Sequence, residues 1–152
     1  MIKIKKSKTA DTRSCAFIQV DKSQLYESST QHIGDVKLGI ELFIQMLQDA
    51  ATNHDQDKLS GINHFHSDFI TGFKETGWWD NHRKITRHHL LQEDGIPGDV
   101  NLIDVLEMIA DCVMAGMGRS GSVYSLDIAP EVLMKALSNT VKLLKNQIVV
   151  EN

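Results

Sequence analysis

The chain has 152 residues, 41% of them hydrophobic and 24% charged, with only two prolines; that is the size and make-up of one ordinary globular domain, which excludes a fibrous or disordered polypeptide. A net charge of −4 argues against a general nucleic-acid-binding surface while leaving room for a few placed cations around a small phosphorylated substrate. The longest nearly apolar stretch, Val105 to Met117, is broken by Glu107 and Asp111 and falls short of the ~20 residues that cross a bilayer, so no membrane partner is expected.

The basic start MIKIKKSK has no apolar segment of the secretory kind, so a cytoplasmic location is expected. Cys15 and Cys112 stand far apart without CxxC spacing, as in a reduced compartment with inert thiols. The first 20 residues hold two short apolar alternations, MIKIK and SCAFIQV, separated by SKTADTR; they predict an N-terminal extension or β-hairpin lying on a helical core over residues 22–147, all in one domain, 1–152.

From Ser23 to Thr52 apolar residues recur at spacings of three and four, the period of an amphipathic helix that contains His32. The polar stretch NHDQDKLSG follows, then a helical stripe over 62–76 built on Phe65, Phe69, Ile70 and Phe73, which Gly77 breaks. A further helix is expected from Trp78 to Leu91, then the loop EDGIPGD, with Asp99 as the N-cap of VNLIDVLEMIADCVMAGM. That helix is apolar on nearly every side, as befits a central one. After the loop GRSGSVYSLD a last helix runs from near Ile128 to Gln147, with Pro130 and Glu131 in its first turn. The total is an all-α fold of about six helices.

Asp104, Glu107 and Asp111 recur at three and four residues, so they share one face of the central helix. Such a row is either a solvated acidic face or, because unpaired buried carboxylates are costly, a row facing cations or a metal. Seven histidines are present, at 32, 54, 64, 66, 82, 88 and 89. His54 and Asp55 are adjacent: Asp55 is either a helix cap beside an exposed histidine or, with Lys58 on the next turn, part of a site. Trp78 and Trp79, being consecutive, are expected to face different ways, one in the core and Trp79 a candidate shelf for a substrate ring. His64 and His66 read as surface residues.

The order His32, His54-Asp55 with Lys58, then Asp111 resembles the H…HD…D signature of the HD-domain superfamily of metal-dependent phosphohydrolases. From His32 onward the chain is also similar to a family of small proteins of bacteria and tailed phages with blocks like HDQDK, RHHL and EMIADCVMAG. The resemblance implies an HD-like helical bundle, in the host cytoplasm if phage-encoded. It also implies a divalent metal (Mn, Fe, Co, Ni, Zn or Mg) on His32, His54, Asp55 and Asp111. A second ion would be held by His82 and His88, or His89 in its place, with Asp55 bridging. His88 and His89 are expected to point about 100° apart on a helix and so not to share an ion.

The implied activity is hydrolysis of a nucleotide or other small phosphate ester by metal-activated water. Asp55, Lys58 and Glu107 would be catalytic, Glu107 as general acid or as a partner behind the ligands. Lys58, Arg83, Arg87, Arg119 and Trp79 would bind substrate. Two alternatives stay open: a di-iron oxygenase of the same superfamily, and a non-catalytic metal-binding regulatory protein. The apolar helices permit a homodimer and serve equally as the core of a monomer.

Overall fold

The computed structural model describes residues 1–8, 10–14 and 19–151. The fold is all-α with one short sheet: β1 (Ile2–Lys5), α1 (Lys22–Asn53), α2 (Gln56–Ser60), α3 (Ile62–Phe69), α4 (Trp78–Ile85), α5 (Leu102–Ser120), α6 (Pro130–Gln147) and β2 (Ile148–Glu151). The residues group into two compact units, 1–45 with 142–152, and 46–141. Helix α1 runs through both. No helix among the described residues is long and apolar enough to cross a membrane.

In the first unit MIKIK forms a strand, as expected, but its partner is not the neighbouring run. Ile2–Lys5 pairs in parallel with Ile148–Glu151, Ile2 opposite Ile148 and Lys5 opposite Glu151. Residues 15–18, the heart of the second expected strand, lie outside the described residues. Gln31 Nε2 on α1 donates to the Lys5 carbonyl at 2.8 Å, tying helix to strand. Gly39 faces the Leu144 methyls, where an added Cβ would meet them at 3.7 Å.

In the second unit α5 is the central element. Val105, Met108 and Cys112 of that helix form a core with Leu90, Val100, Val132 and Ala136; Cys112 is a free thiol that burial pushes up from its ordinary pKa. The cap of α5 is Asn101, not Asp99. Its side chain accepts from the Ile103 amide, and the Asp104 carboxylate accepts from the Asn101 amide, a reciprocal capping box. Asp99 instead faces Arg87, 3.1 Å from Nη1. Thr140 Oγ1 of α6 takes the next orphan donor, the Leu102 amide, at 2.9 Å.

Two helices end earlier than their apolar patterns suggest. The stripe through Phe73 outlasts α3, which stops at Phe69. The cause is Asp68, fully buried, whose carboxylate accepts from the amides of Thr76 and Trp79 at 2.9 and 3.0 Å. Those bonds draw residues 70–77 into a tight turn with positive φ at Gly72, Phe73 and Gly77 and set the start of α4. That helix in turn stops at Ile85, where Thr86 is extended.

Candidate metal centre

The site begins where α1 ends. Asp55 has a left-handed backbone (φ 54°) and, although it occupies the N-cap position of α2, its side chain caps nothing. One oxygen, Oδ2, accepts from Lys58 Nζ. The other, Oδ1, lies 3.5 Å from His82 Nε2 and 3.6 Å from His88 Nε2. The simple capping alternative is therefore not what the chain adopts.

Helix α4 delivers His82, which has no exposed surface. Trp78 and Trp79 precede it by four and three residues, the two spacings that share a helix face, so both indoles lie against the imidazole with centroids at 4.8 and 5.3 Å. This replaces the expectation that the two tryptophans part company. Asp57 Oδ2 lies 2.7 Å from His82 Nδ1. A carboxylate only accepts, so Nδ1 carries the proton and Nε2 keeps its lone pair.

His88 and His89 come from the turn after α4. Because the helix has already ended, the 100° divergence of adjacent helical residues does not apply, and both rings face the same point. His89 Nε2 lies 2.9 Å from His82 Nε2. Behind His88 stands Glu107 of α5, whose Oε1 is 3.0 Å from His88 Nδ1 and 2.9 Å from His54 Nδ1. One carboxylate oxygen thus fixes the tautomer of two histidines and leaves each Nε2 free.

The acidic row on α5 is accordingly not a solvated face. Asp104, 3% exposed, receives Arg87 through Nε and Nη2 at 2.7 and 2.9 Å. Glu107 receives the two histidines. Asp111 Oδ1 stands 3.7 Å from His54 Nε2, which is itself 3.6 Å from Asp55 Oδ2.

Asp55, His82, His88 and His89 form a group whose ligand atoms all lie within 4.8 Å of one another, and which could hold a metal ion. Two features of the chain fit such an ion. Asp55 Oδ1 and His88 Nε2 are both buried without a hydrogen-bond partner, a costly state that a shared cation would relieve. The separations of 2.9, 3.5 and 3.6 Å among these atoms bracket the roughly 3.3 Å between ligands about 2.0–2.1 Å from one tetrahedral ion. The carboxylates behind the imidazoles complete the pattern usual for metal-binding histidine. A second group, His54, His88 and Glu107, is accounted for by its internal hydrogen bonds.

Electrostatics agree with this division of labour. Burial pushes the Asp55 carboxyl up, but the Lys58 ammonium outweighs it and the net shift is down. Glu107 behaves likewise, burial being overcome by the bonds from His88 and His54. His89 is lowered to about 4, by burial first and then by the neighbouring His88 and His82, so it is neutral near pH 7, the form that binds metals.

Other residues singled out in the sequence fall elsewhere. His32 belongs to the first unit, about six helical turns before the end of α1. Its Nδ1 is 3.5 Å from Asp11 Oδ2, and it is in neither group. Arg83 is committed to Asp80, Asp94 and Gln92, and Arg119 lies over the Tyr124 ring at the end of α5. His64 and His66 are exposed. Sequence reasoning passed over Asp57 and Asp68. The signal for Asp57 was available: a second aspartate two residues after the HD pair is well placed to back a histidine.

Compared with protein families, with curated proteins and with solved structures, the chain matches none.

Proposed function

We propose that this protein is a metal-dependent phosphohydrolase acting on a nucleotide or another small phosphate ester. The observation that carries the reading is the convergence of Asp55 Oδ1, His82, His88 and His89 Nε2, two of them buried and unsatisfied. A divalent ion bound there supplies Lewis acidity toward a phosphoryl oxygen and lowers the pKa of water.

The chain's own groups do the rest. Lys58, held by Asp55 and 27% exposed at its side chain, offers its ammonium to a phosphoryl oxygen. His54 Nε2, with its lone pair kept free by the Nδ1 bond to Glu107, accepts the proton of the attacking water. Water oxygen forms the new bond to phosphorus, the ester P–O bond breaks, and the leaving alcohol takes a proton from solvent. Glu107 is a positioning residue in this scheme, not the general acid, because the bonds from both histidines hold it as a carboxylate, its pKa shifted down. Arg87 lines a cavity of about 360 Å³ together with Asp55 and Glu107; with Asp104 as its partner it steers the anion rather than binding it alone. Because Lys58 already provides positive charge at Asp55 Oδ2, the reading requires one ion per chain.

The test is phosphate release from nucleoside monophosphates with Mn²⁺, Co²⁺ or Mg²⁺. Asp55→Ala is expected to lose both metal and turnover. His54→Gln is expected to keep the metal and lose turnover by about 10²–10⁴. Absence of release from wild type with any of these ions, with oxygen consumed when Fe²⁺ is supplied, would replace this reading by the oxygenase.

A further inference from the structure

A second cavity, also of about 360 Å³, opens between the last turns of α1 and the middle of α5, sharing Ala50 and Glu107 with the first. Its chemistry differs from that of the Arg87 cavity. Its walls are Ala50 and Ala51 from α1 and Leu106, Ala110 and Met114 from α5, and the polar side chains lining it are His54, Glu107 and Asp111, all at the metal centre. It has no lysine, arginine, amide or hydroxyl side chain in its lining.

We infer, resting on the phosphohydrolase reading, that this groove holds an uncharged aromatic ring of the ester, recognised by shape and apolar contact and not by hydrogen bonds to its edge. Three observations lead there. The groove borders the reacting centre: His54, placed above as the base, lines it beside Asp111, and its Nε2 is 3.6 Å from Asp55 Oδ2, so a group bonded to the scissile oxygen is within reach of it. An anion is excluded, since the carboxylates at that end would repel it and no cation in the lining would hold it. Alanines from both helices leave a slot between them, and a slot suits a flat ring better than a branched chain. At its rim the Met114 side chain, 71% exposed, can fold over a ring, sulfur toward the aromatic edge. With its hydrogen-bonding side chains gathered at the His54 end and apolar walls elsewhere, the groove distinguishes rings by size, and such hydrophobic discrimination is modest, about 10–200-fold for a missing or extra methylene.

The test compares phenylphosphonate with methylphosphonate, two ligands that are not hydrolysed, binding to the Mn²⁺-loaded protein by calorimetry. Wild type is expected to prefer the phenyl compound at least tenfold. Ala110→Leu and Ala51→Leu, both at exposed helix positions that fill the slot, are expected to bring that ratio close to one. Equal binding of the two phosphonates by wild type, or a preference that survives both substitutions, overturns the groove assignment while leaving phosphohydrolysis standing. Binding of neither overturns the parent reading and the groove with it. Self-association that both leucine variants abolish, seen by sedimentation, would give the groove to a second copy of the chain and likewise overturn the proposal.

Discussion

Asp57 shows how much of the candidate metal centre lies behind the residues that could hold an ion. It would touch no ion, yet its bond to His82 Nδ1 decides which nitrogen of a buried ring faces the cluster. Loss of such a partner typically lowers metal affinity 10–100-fold. Asp57→Ala is therefore expected to weaken Mn²⁺ or Zn²⁺ binding by that factor in a chelator competition, with Asp57→Asn intermediate because its amide oxygen still accepts. Affinity equal to wild type in Asp57→Ala would remove Asp57 from the site. The titrating residues give a second expectation, for the metal-free protein. His89 ordinarily protonates at 6.5 and in the fold only at about 4; between those values the unfolded chain binds more protons, so stability falls as the pH drops through that window. Asp55 and Glu107, both shifted down, contribute stability that is present above their unfolded values and lost at still lower pH. Urea midpoints should decline from pH 6.5 to 4, whereas a constant midpoint would contradict the burial of His89.

At the scale of elements, the positions of greatest consequence are helix ends. Periodicity in Leu25 to Leu47 marks α1 to within a residue at either end, whereas the row Asp104, Glu107, Asp111 reads equally as a solvated face or a functional one until the fold supplies its partners, Arg87 for Asp104 and two imidazoles for Glu107. Periodicity could not reveal where α3 and α4 stop. There the deciding forces are a buried carboxylate eight and eleven residues from the amides it binds, and a turn that turns two adjacent histidines to one point. Nor could it reveal that MIKIK pairs with residues 148–151, a contact with no local signal. The turn after α4 depends on Gly95, where an added Cβ would meet the His89 carbonyl at 2.3 Å and the His89 Cβ at 3.0 Å. Gly95→Ala must displace His89. A destabilisation of about 1–3 kcal/mol is expected from such overpacking, together with a loss of metal affinity that a purely structural glycine would not produce; chemical denaturation and a metal titration on the same sample separate the two.

At the scale of the molecule, the cluster gathers stretches that lie apart in the chain: the α1–α2 junction, α4 and the turn beyond it, with α5 behind them. An ion bound to the folded state alone stabilises it by mass action, about 2.7 kcal/mol at one hundred times Kd. For a chain of this length that corresponds to a rise in melting temperature of roughly 5–10 °C. The rise should appear on adding Mn²⁺ to protein stripped with chelator and should vanish in Asp55→Ala; equal melting with and without metal would mean that the four ligands do not act together.

The left-handed backbone at Asp55 also bears on how this chain can change over evolutionary time. That conformation favours glycine and is tolerated by aspartate and asparagine alike, while the chemistry proposed for the site demands a carboxylate. Selection for stability and selection for activity therefore pull this codon in opposite directions. Once hydrolysis is no longer needed, drift runs downhill toward Gly beside an intact His54. Inactive descendants would be recognisable by that one replacement, long before the fold around it had altered.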